Sequence, residues 1–499
     1  MTPDHDIVII GGGINGCGIA RDAAGRGLKV LLCERDDIAA HTSSWSSKLI
    51  HGGLRYLEQF EFRLVREALR EREVLLKIAP HITRPLSFVL PHDKRMRPAW
   101  MLQVGLWLYD NIGGPITLPK SQAVTFPNDQ CGQSLKPGYK KGFIYSDLQV
   151  DDSRLTLLNA LSAKEKGATI LTRTKCVSAK RHDGMWRVVL QDHEGVRTEV
   201  TAKAVVNAAG PWVKEVAEDV LHLKTKATIR WVKGSHIVVP RLPGASHAYI
   251  LQNDDKRVIF VIPLADKYSL IGTTDVTVRT LDAAEQISPK ELDYLLAAVN
   301  RYMTTTLTYA DVVWTYAGVR PLYDDGESNP SQVTRDYTLQ VMDAEGQLPL
   351  LTVFGGKITT YRELAIHVLE KLKPWFPGLR GEWTATEPLP GGDTPSVTAL
   401  FNGLQARYSG LPKDYLFALL RRHGTRVTRI LGNAEVVEDL GTRFGPHLTQ
   451  REIDYLMAEE WAITADDILW RRTKAGLGMS ADEKRAVADY VFSVAPGRM

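Results

Sequence analysis

Apolar positions open the chain in an unbroken run, Asp6-Ile-Val-Ile-Ile10, which suits a strand buried on both faces inside a parallel sheet. Gly11-Gly-Gly-Ile-Asn-Gly16 follows at once. From Ile14 to about Ala24 small and apolar residues recur at helical spacing, Gly25 and Gly27 break the pattern, and Lys29-Val-Leu-Leu-Cys33 supplies a second strand ending on Glu34. This is a strand, turn, helix, strand unit. A helix over about 61–79 sets Glu and Arg against a face of Leu, Val and Ile, as packing on one side requires. The pattern predicts another helix over 151–166 and strands at 169–171, 186–190 and 204–206, the last running into Asn207-Ala-Ala-Gly210.

Between about 226 and 343 the alternation is of β type, at 235–239, 249–251, 258–262 and 269–271, which predicts a separate antiparallel sheet. The chain then returns with a strand at 350–354, the turn Gly355-Gly-Lys357 and a helix over 359–373. A cofactor domain interrupted in sequence is the consequence. Pro388-Leu-Pro-Gly-Gly392 reads as a linker, and helical periodicity dominates beyond it, at 415–423, 451–460 and 481–494. The expected division is 1–85, 145–225 and 345–385 for the cofactor domain, 86–144 and 226–344 for a substrate-binding cap, and 390–499 for a helical carboxy-terminal domain.

Composition removes several classes of function. With 499 residues, 44% hydrophobic and 24% charged, the chain is neither disordered nor short of core, and a net charge of +4 gives no nucleic-acid-binding bias. Cys17, Cys33, Cys131 and Cys176 are far apart with no metal-ligand spacing, so no metal site or disulfide framework is expected and a reducing cytoplasm fits. No run reaches the length of a membrane-spanning helix, and no leader is expected ahead of Asp6. The segment from Ala99 to Tyr109 is apolar and follows Lys94, Arg95 and Arg97, a combination that suits either a buried helix or one resting in a bilayer interface.

Gly11-x-Gly13-x-x-Gly16 after a strand and opening a helix, with Glu34 placed 23 residues after Gly11, has the context of a dinucleotide site. Glycines allow the backbone N–H groups to approach a pyrophosphate, and the carboxylate can accept from ribose hydroxyls. The hydroxyl-rich stretch from His41 to Leu49 tips the choice from NAD to FAD, since it stands where an extended dinucleotide has its remaining phosphate and flavin end. Candidate cofactor contacts are Gly11, Gly13, Asn15 and Gly16 in the first turn, then Glu34. They continue with Thr42, Ser43, Ser46, Ser47, Lys48 and Leu49 in the loop, and Gly210, Trp212, Gly356, Lys357, Ile358 and Thr359 in two later turns.

Long ordered motifs carry a family resemblance. They are Gly11 to Gly16, Ser46-Ser-Lys-Leu-Ile-His-Gly-Gly-Leu-Arg-Tyr56, Lys233-Gly-Ser-His-Ile-Val-Val-Pro240, Ile271-Gly-Thr-Thr-Asp275, Trp314-Thr-Tyr-Ala-Gly-Val-Arg-Pro321, Thr334-Arg-Asp-Tyr337 and Phe354-Gly-Gly-Lys-Ile-Thr-Thr-Tyr361. With the tail segment Trp470-Arg-Arg-Thr-Lys474, the chain resembles the FAD-dependent glycerol-3-phosphate dehydrogenases of bacterial respiratory chains over nearly its whole length. The implied fold is α/β, a Rossmann-like FAD-binding domain with an antiparallel-sheet substrate domain and an all-helical carboxy-terminal domain. The resemblance implies FAD as cofactor, glycerol 3-phosphate as substrate and a membrane quinone as electron acceptor. It also implies peripheral contact with the inner face of the cytoplasmic membrane, and a homodimer.

A phosphorylated alcohol needs cations for its dianion, and Arg55, Arg320, Arg335 and Lys357 all stand in these motifs. The resemblance puts Arg55 and Arg320 at the phosphate, with Tyr56 and Thr274 as neutral donors. Oxidation also requires an acceptor for the hydroxyl proton, and His51, His236 and Lys357 are the candidates. Asp275 is expected to close a turn or hold one of the arginines. An oxidase that reduces oxygen to peroxide on the same scaffold is the alternative activity.

Overall fold

The computed structural model describes residues 2–93, 96–126, 129–223, 229–243, 246–255, 257–284, 286–323, 336–342 and 348–494, and at Arg55, Glu58 and Gln59 only the backbone. Lys94, Arg95 and Arg335 lie outside the described residues, as does the side chain of Arg55.

Strand β1 (His5–Ile10) pairs in parallel with β2 (Val30–Cys33) on one side and with Arg197–Asn207 on the other. Alternation sends Ile7 and Ile9 into a core shared with helix α1 (Ile14–Gly25), and Val8 and Ile10 into a second core with Trp186, Val188 and Leu350. Both faces are buried, so an unbroken apolar run is what this position demands. Leu350–Phe354 extends the sheet beyond Arg197–Asn207, and Thr169–Leu171 extends it beyond β2, both in parallel. The parallel strands therefore come from three separate stretches of sequence. Thr174–His182, Met185–Asp192 and Arg197–Asn207 also form an antiparallel meander, so the strands expected at 186–190 and 204–206 are parts of longer ones.

A second sheet runs in the order Val276–Val278, Ile229–Pro240, Tyr268–Gly272, Val258–Leu264, Ala248–Gln252, Thr83–His92, Lys141–Val150 and Leu49–Ile50. Trp314–Tyr323 lies antiparallel along Ile229–Pro240. One neighbouring pair is parallel, Ala248–Gln252 on Thr83–His92, so the sheet is mixed at the join between its early and late strands. Beside its early strands pack helices α2 (Phe62–Ile78) and α3 (Ala99–Ile112). Helix α3 buries only Leu106 and Tyr109, while Trp100, Val104 and Trp107 are 64, 57 and 65% exposed. Among the described residues no helix is long and apolar enough to cross a membrane.

Past the linker, helices Lys413–His423, Gln450–Glu459 and Ala481–Val494 dominate, with a short ladder between Arg443–Gly445 and Leu448–Thr449. This tail docks through buried charge. Arg472 donates to Asp37 at 2.9 Å, and Arg154 to Glu460 at 3.1 Å. Trp470 stacks on Trp314 with ring centroids 4.7 Å apart. Removing one partner of such a buried pair costs about 3–5 kcal/mol, so the tail is fixed to the rest of the chain.

Candidate active site

A cavity of about 1330 Å³ is walled by residues of both sheets. At its start the turn after β1 is held by close backbone packing. Gly11 has φ +115°, and a Cβ there would lie 2.5 Å from the Ala208 carbonyl oxygen. At Gly16 a Cβ would lie 1.9 Å from the Gly11 carbonyl oxygen, so α1 can begin this close to the turn only without a side chain. The Glu34 carboxylate accepts from the Gly12 N–H at 2.6 Å and the Asp36 N–H at 2.8 Å. Burial pushes its pKa above the ordinary value. Beside it the Trp212 ring packs against the Arg35 guanidinium, 4.1 Å from the ring centroid, and the His41 ring at 4.5 Å.

The hydroxyl-rich loop divides its side chains between the cavity and the interior. Ser43 Oγ accepts from the Ile14 N–H at 2.9 Å, which caps the start of α1 and leaves its own O–H to donate. Thr42 Oγ1 donates to the Val319 carbonyl at 2.6 Å, and Ser47 Oγ lies 2.9 Å from His236 Nε2. Ser46 borders the cavity, but its hydroxyl donates to Asp152 at 2.8 Å. Lys48 turns fully inward. Its ammonium bonds Asp152 at 2.9 Å and the Ser44 carbonyl at 2.9 Å, with the side chain 2% exposed. The expected contact of Lys48 with the cofactor is therefore corrected: the residue is absent from the cavity wall and braces the loop from behind.

Two features fit a flavin dinucleotide along this wall. The first is the side-chain-free cradle just described with its acid. The second is Asn15, which borders the cavity with Gly356 and Ile358: its Nδ2 donates to the Gly355 carbonyl at 3.1 Å, and its buried Oδ1 has no donor among the described residues. Leu49, Gly210 and Thr359 also border the cavity, and Gly13 does so at the start of α1. Gly16 does not, because its role is to let α1 meet the turn.

The same cavity wall carries His51, Tyr56, His236, Arg320 and Lys357. The Lys357 ammonium stands 3.9 Å from the centroid of the Tyr56 ring. The His51 ring meets Phe260 edge-on at 6.2 Å. His236 is 1% exposed and stacks on Tyr316 at 4.7 Å. Burial, then the charges of Arg320 and Lys48, push its pKa well below the usual imidazole value, so the ring is neutral. Arg320 donates to Thr273 Oγ1 at 2.9 Å and pairs with Asp275, the role expected for that acid.

Thr274 is the second correction. The turn alternates, so Thr273 borders the cavity while Thr274, 1% exposed, points to the far side and donates to Glu291 at 2.7 Å. Of the two threonines, Thr273 is the one that reaches the cavity. Strand alternation does not separate the two neighbours: Leu270 packs on the side of Phe260 and Tyr316 and Ile271 on the side of helix Pro289–Tyr302, so the period carried forward would send Thr274 to the cavity, and the turn reverses it. Phe260, contributed by Val258–Leu264, is a wall residue that no motif marked.

A sequence model described as FAD dependent oxidoreductase matches residues 6–362, and one described as C-terminal domain of alpha-glycerophosphate oxidase matches 383–496. The chain is 51% identical to a glycerol-3-phosphate dehydrogenase of Pseudomonas aeruginosa, covering 99% of this chain and 96% of that protein. It is 49% identical to a D-erythritol 1-phosphate dehydrogenase of Brucella abortus, covering 97% of each. A crystal structure of glycerol-3-phosphate dehydrogenase from Bacillus halodurans complexed with FAD superposes with a TM-score of 0.74 at 28% identity, over 98% of this chain and 94% of that one.

Proposed function

Because this chain belongs to the FAD-dependent oxidoreductases, in the family of the glycerol-3-phosphate dehydrogenases, we propose that it oxidises sn-glycerol 3-phosphate to dihydroxyacetone phosphate and delivers the electrons to a membrane quinone. The observation that carries this reading is the joining, in one cavity, of a dinucleotide cradle at Gly11 to Asn15 with a cationic end at Arg320 and Lys357. When bound, FAD supplies the acceptor for the hydride that leaves the carbinol carbon.

The residues at the cationic end supply binding and proton handling. Arg320 presents a planar fork to the phosphate oxygens, held in direction by Thr273 and Asp275. Arg55 joins it as a proposed partner of the phosphate, as does Arg335. Lys357 brings a positive charge beside Tyr56, which favours loss of the substrate hydroxyl proton. The proton acceptor is one of three groups: His51, His236 or Lys357. His236, neutral and bonded through Nε2 to Ser47, needs no prior deprotonation to act.

Anaerobic titration tests the reading. Visible flavin absorbance bleaches on adding glycerol 3-phosphate and persists with glycerol; D-erythritol 1-phosphate run in parallel decides between the two substrates named among the relatives. Persistence of the absorbance with both phosphates rules out the proposed reaction. Peroxide release without quinone would identify the oxidase alternative.

Membrane contact is proposed through α3. Trp100, Val104 and Trp107 fall on one exposed face at helical spacing, and Phe60 nearby is 78% exposed. Val104 and Phe60 also border the cavity, so an acceptor dissolved in the bilayer would meet its wall there. The double variant Trp100→Asp with Trp107→Asp is expected to move the protein from floating lipid vesicles to the soluble fraction. Activity with a soluble dye acceptor stays near wild type. Unchanged flotation would transfer the contact to another surface.

A further inference from the structure

Between the strands Tyr268–Gly272 and Val276–Val278 the turn sends its side chains to opposite sides. Thr273 and Asp275 meet Arg320 at the cavity. Thr274 faces away, accepting the Ser235 N–H at 2.9 Å and donating to Glu291 Oε1 at 2.7 Å. The same oxygen accepts from Ser235 Oγ at 2.8 Å. Glu291 Oε2 takes Lys233 Nζ at 2.7 Å, with the Ser288 N–H at 3.0 Å and the Ser288 hydroxyl at 2.8 Å.

One carboxylate, 5% exposed, thus ties together the start of helix Pro289–Tyr302, the strand Ile229–Pro240 and the 273–275 turn. Burial alone would raise its pKa, but Lys233 and the donors from Ser288 and Thr274 hold it at about 2, so it stays ionised. Between its two strand donors lies Gly234. A Cβ there would stand 2.4 Å from Arg320 Nη2 and 2.5 Å from Thr273 Oγ1, so the strand gripped by Glu291 is also the floor beneath the guanidinium.

We propose that Glu291, acting through Thr274 and Ser235, is a positioning residue that aims Arg320 at the substrate phosphate. The proposal rests on the reading of Arg320 as a phosphate partner. An arginine side chain has several rotatable bonds, and its fork gains from a bidentate partner only when its direction is fixed beforehand. Thr273 and Asp275 fix that direction from the cavity side, and they hold position because Thr274 is anchored from behind.

Thr274→Val removes the hydroxyl with little change of shape, and steady-state kinetics of the holoenzyme with a soluble dye acceptor read the effect. KM for glycerol 3-phosphate is expected to rise about 10- to 100-fold, the scale of a small misplacement of a binding group. The inhibition constant of inorganic phosphate rises by a similar factor, kcat changes little, and flavin content and melting temperature stay at wild-type values. Thr274→Ser restores both constants. Unaltered KM and phosphate inhibition, equal losses in kcat and KM together with a lowered melting temperature, or no rescue by serine would each overturn the positioning role. Should Thr274→Val fail to retain flavin, Ser235→Ala removes the neighbouring donor to Glu291 and is read by the same constants. If Arg320→Ala leaves KM untouched, the phosphate reading itself falls; if that variant raises KM and Thr274→Val does not, only the role of Glu291 falls.

Discussion

Arg320→Ala is expected to lower kcat/KM for glycerol 3-phosphate by roughly thirty-fold to several thousand-fold, equivalent to the about 2–5 kcal/mol lost when a charged group is left without its hydrogen-bonded partner. The loss appears largely in KM, because the guanidinium meets the phosphate in both ground and transition states. Flavin is expected to be retained, since Thr273 and Asp275, the partners of Arg320, lie in a turn between two strands of the second sheet, whereas the Gly11 turn follows a strand of the first. Arg320→Lys is expected to recover only part of the activity: a point charge cannot span Thr273, Asp275 and a phosphate as a planar fork does. Stopped or steady-state assays across substrate concentration check this, and wild-type KM in the alanine variant would remove Arg320 from the pocket.

The second large effect is at the cofactor. Gly16→Ala places a methyl group 1.9 Å from the Gly11 carbonyl, a distance no side-chain rotation can relieve because the obstacle is backbone. Helix α1 must then withdraw from the turn, and the N–H groups at its start leave the position from which they face a pyrophosphate. The purified protein is expected to be colourless, with the ratio of visible to ultraviolet absorbance at background even after incubation with FAD. Gly13→Val acts differently. Its Cβ meets only Ser43 Oγ at 3.3 Å, so the chain can fold around it and the obstruction falls on the space for the ligand. A yellow, active Gly16→Ala protein would contradict the packing described for the turn.

The legibility of these features follows their locality. The β1 run, the glycine turn and Glu34 lie within one continuous stretch, and each is dictated by its immediate neighbours, so the sequence pattern contains them in full. The return at Leu350–Phe354 is readable for the same reason, although the Gly355 carbonyl just past it is bonded to Asn15, 340 positions away. The hydroxyl-rich loop was readable as a loop but not residue by residue. Lys48 adopts φ +58° and reaches Asp152, an acid brought near only by the helix that starts there. Thr273 and Thr274 are chemically alike, and the register of one turn decides which of them meets the cavity. Thr83–His92 carries Pro85 and Pro91, which disguise it as loop even though it pairs along its whole length with Lys141–Val150. Glu291 carried no signal, since an acid third in a helix after serine is the ordinary mark of a capped start.

The docking of the tail has a consequence for the geometry of the reaction. Arg472 grips Asp37, three positions past the acid at the adenosine end, while Trp470 lies on Trp314, the first residue of the strand that carries Arg320. Two tail residues two positions apart thereby hold both the segment that follows Glu34 and the strand that carries Arg320. On the proposed roles of Glu34 and Arg320, the carboxy-terminal region would act as a ruler between the nucleotide and the phosphate, so that loosening it would change the reach offered to the substrate.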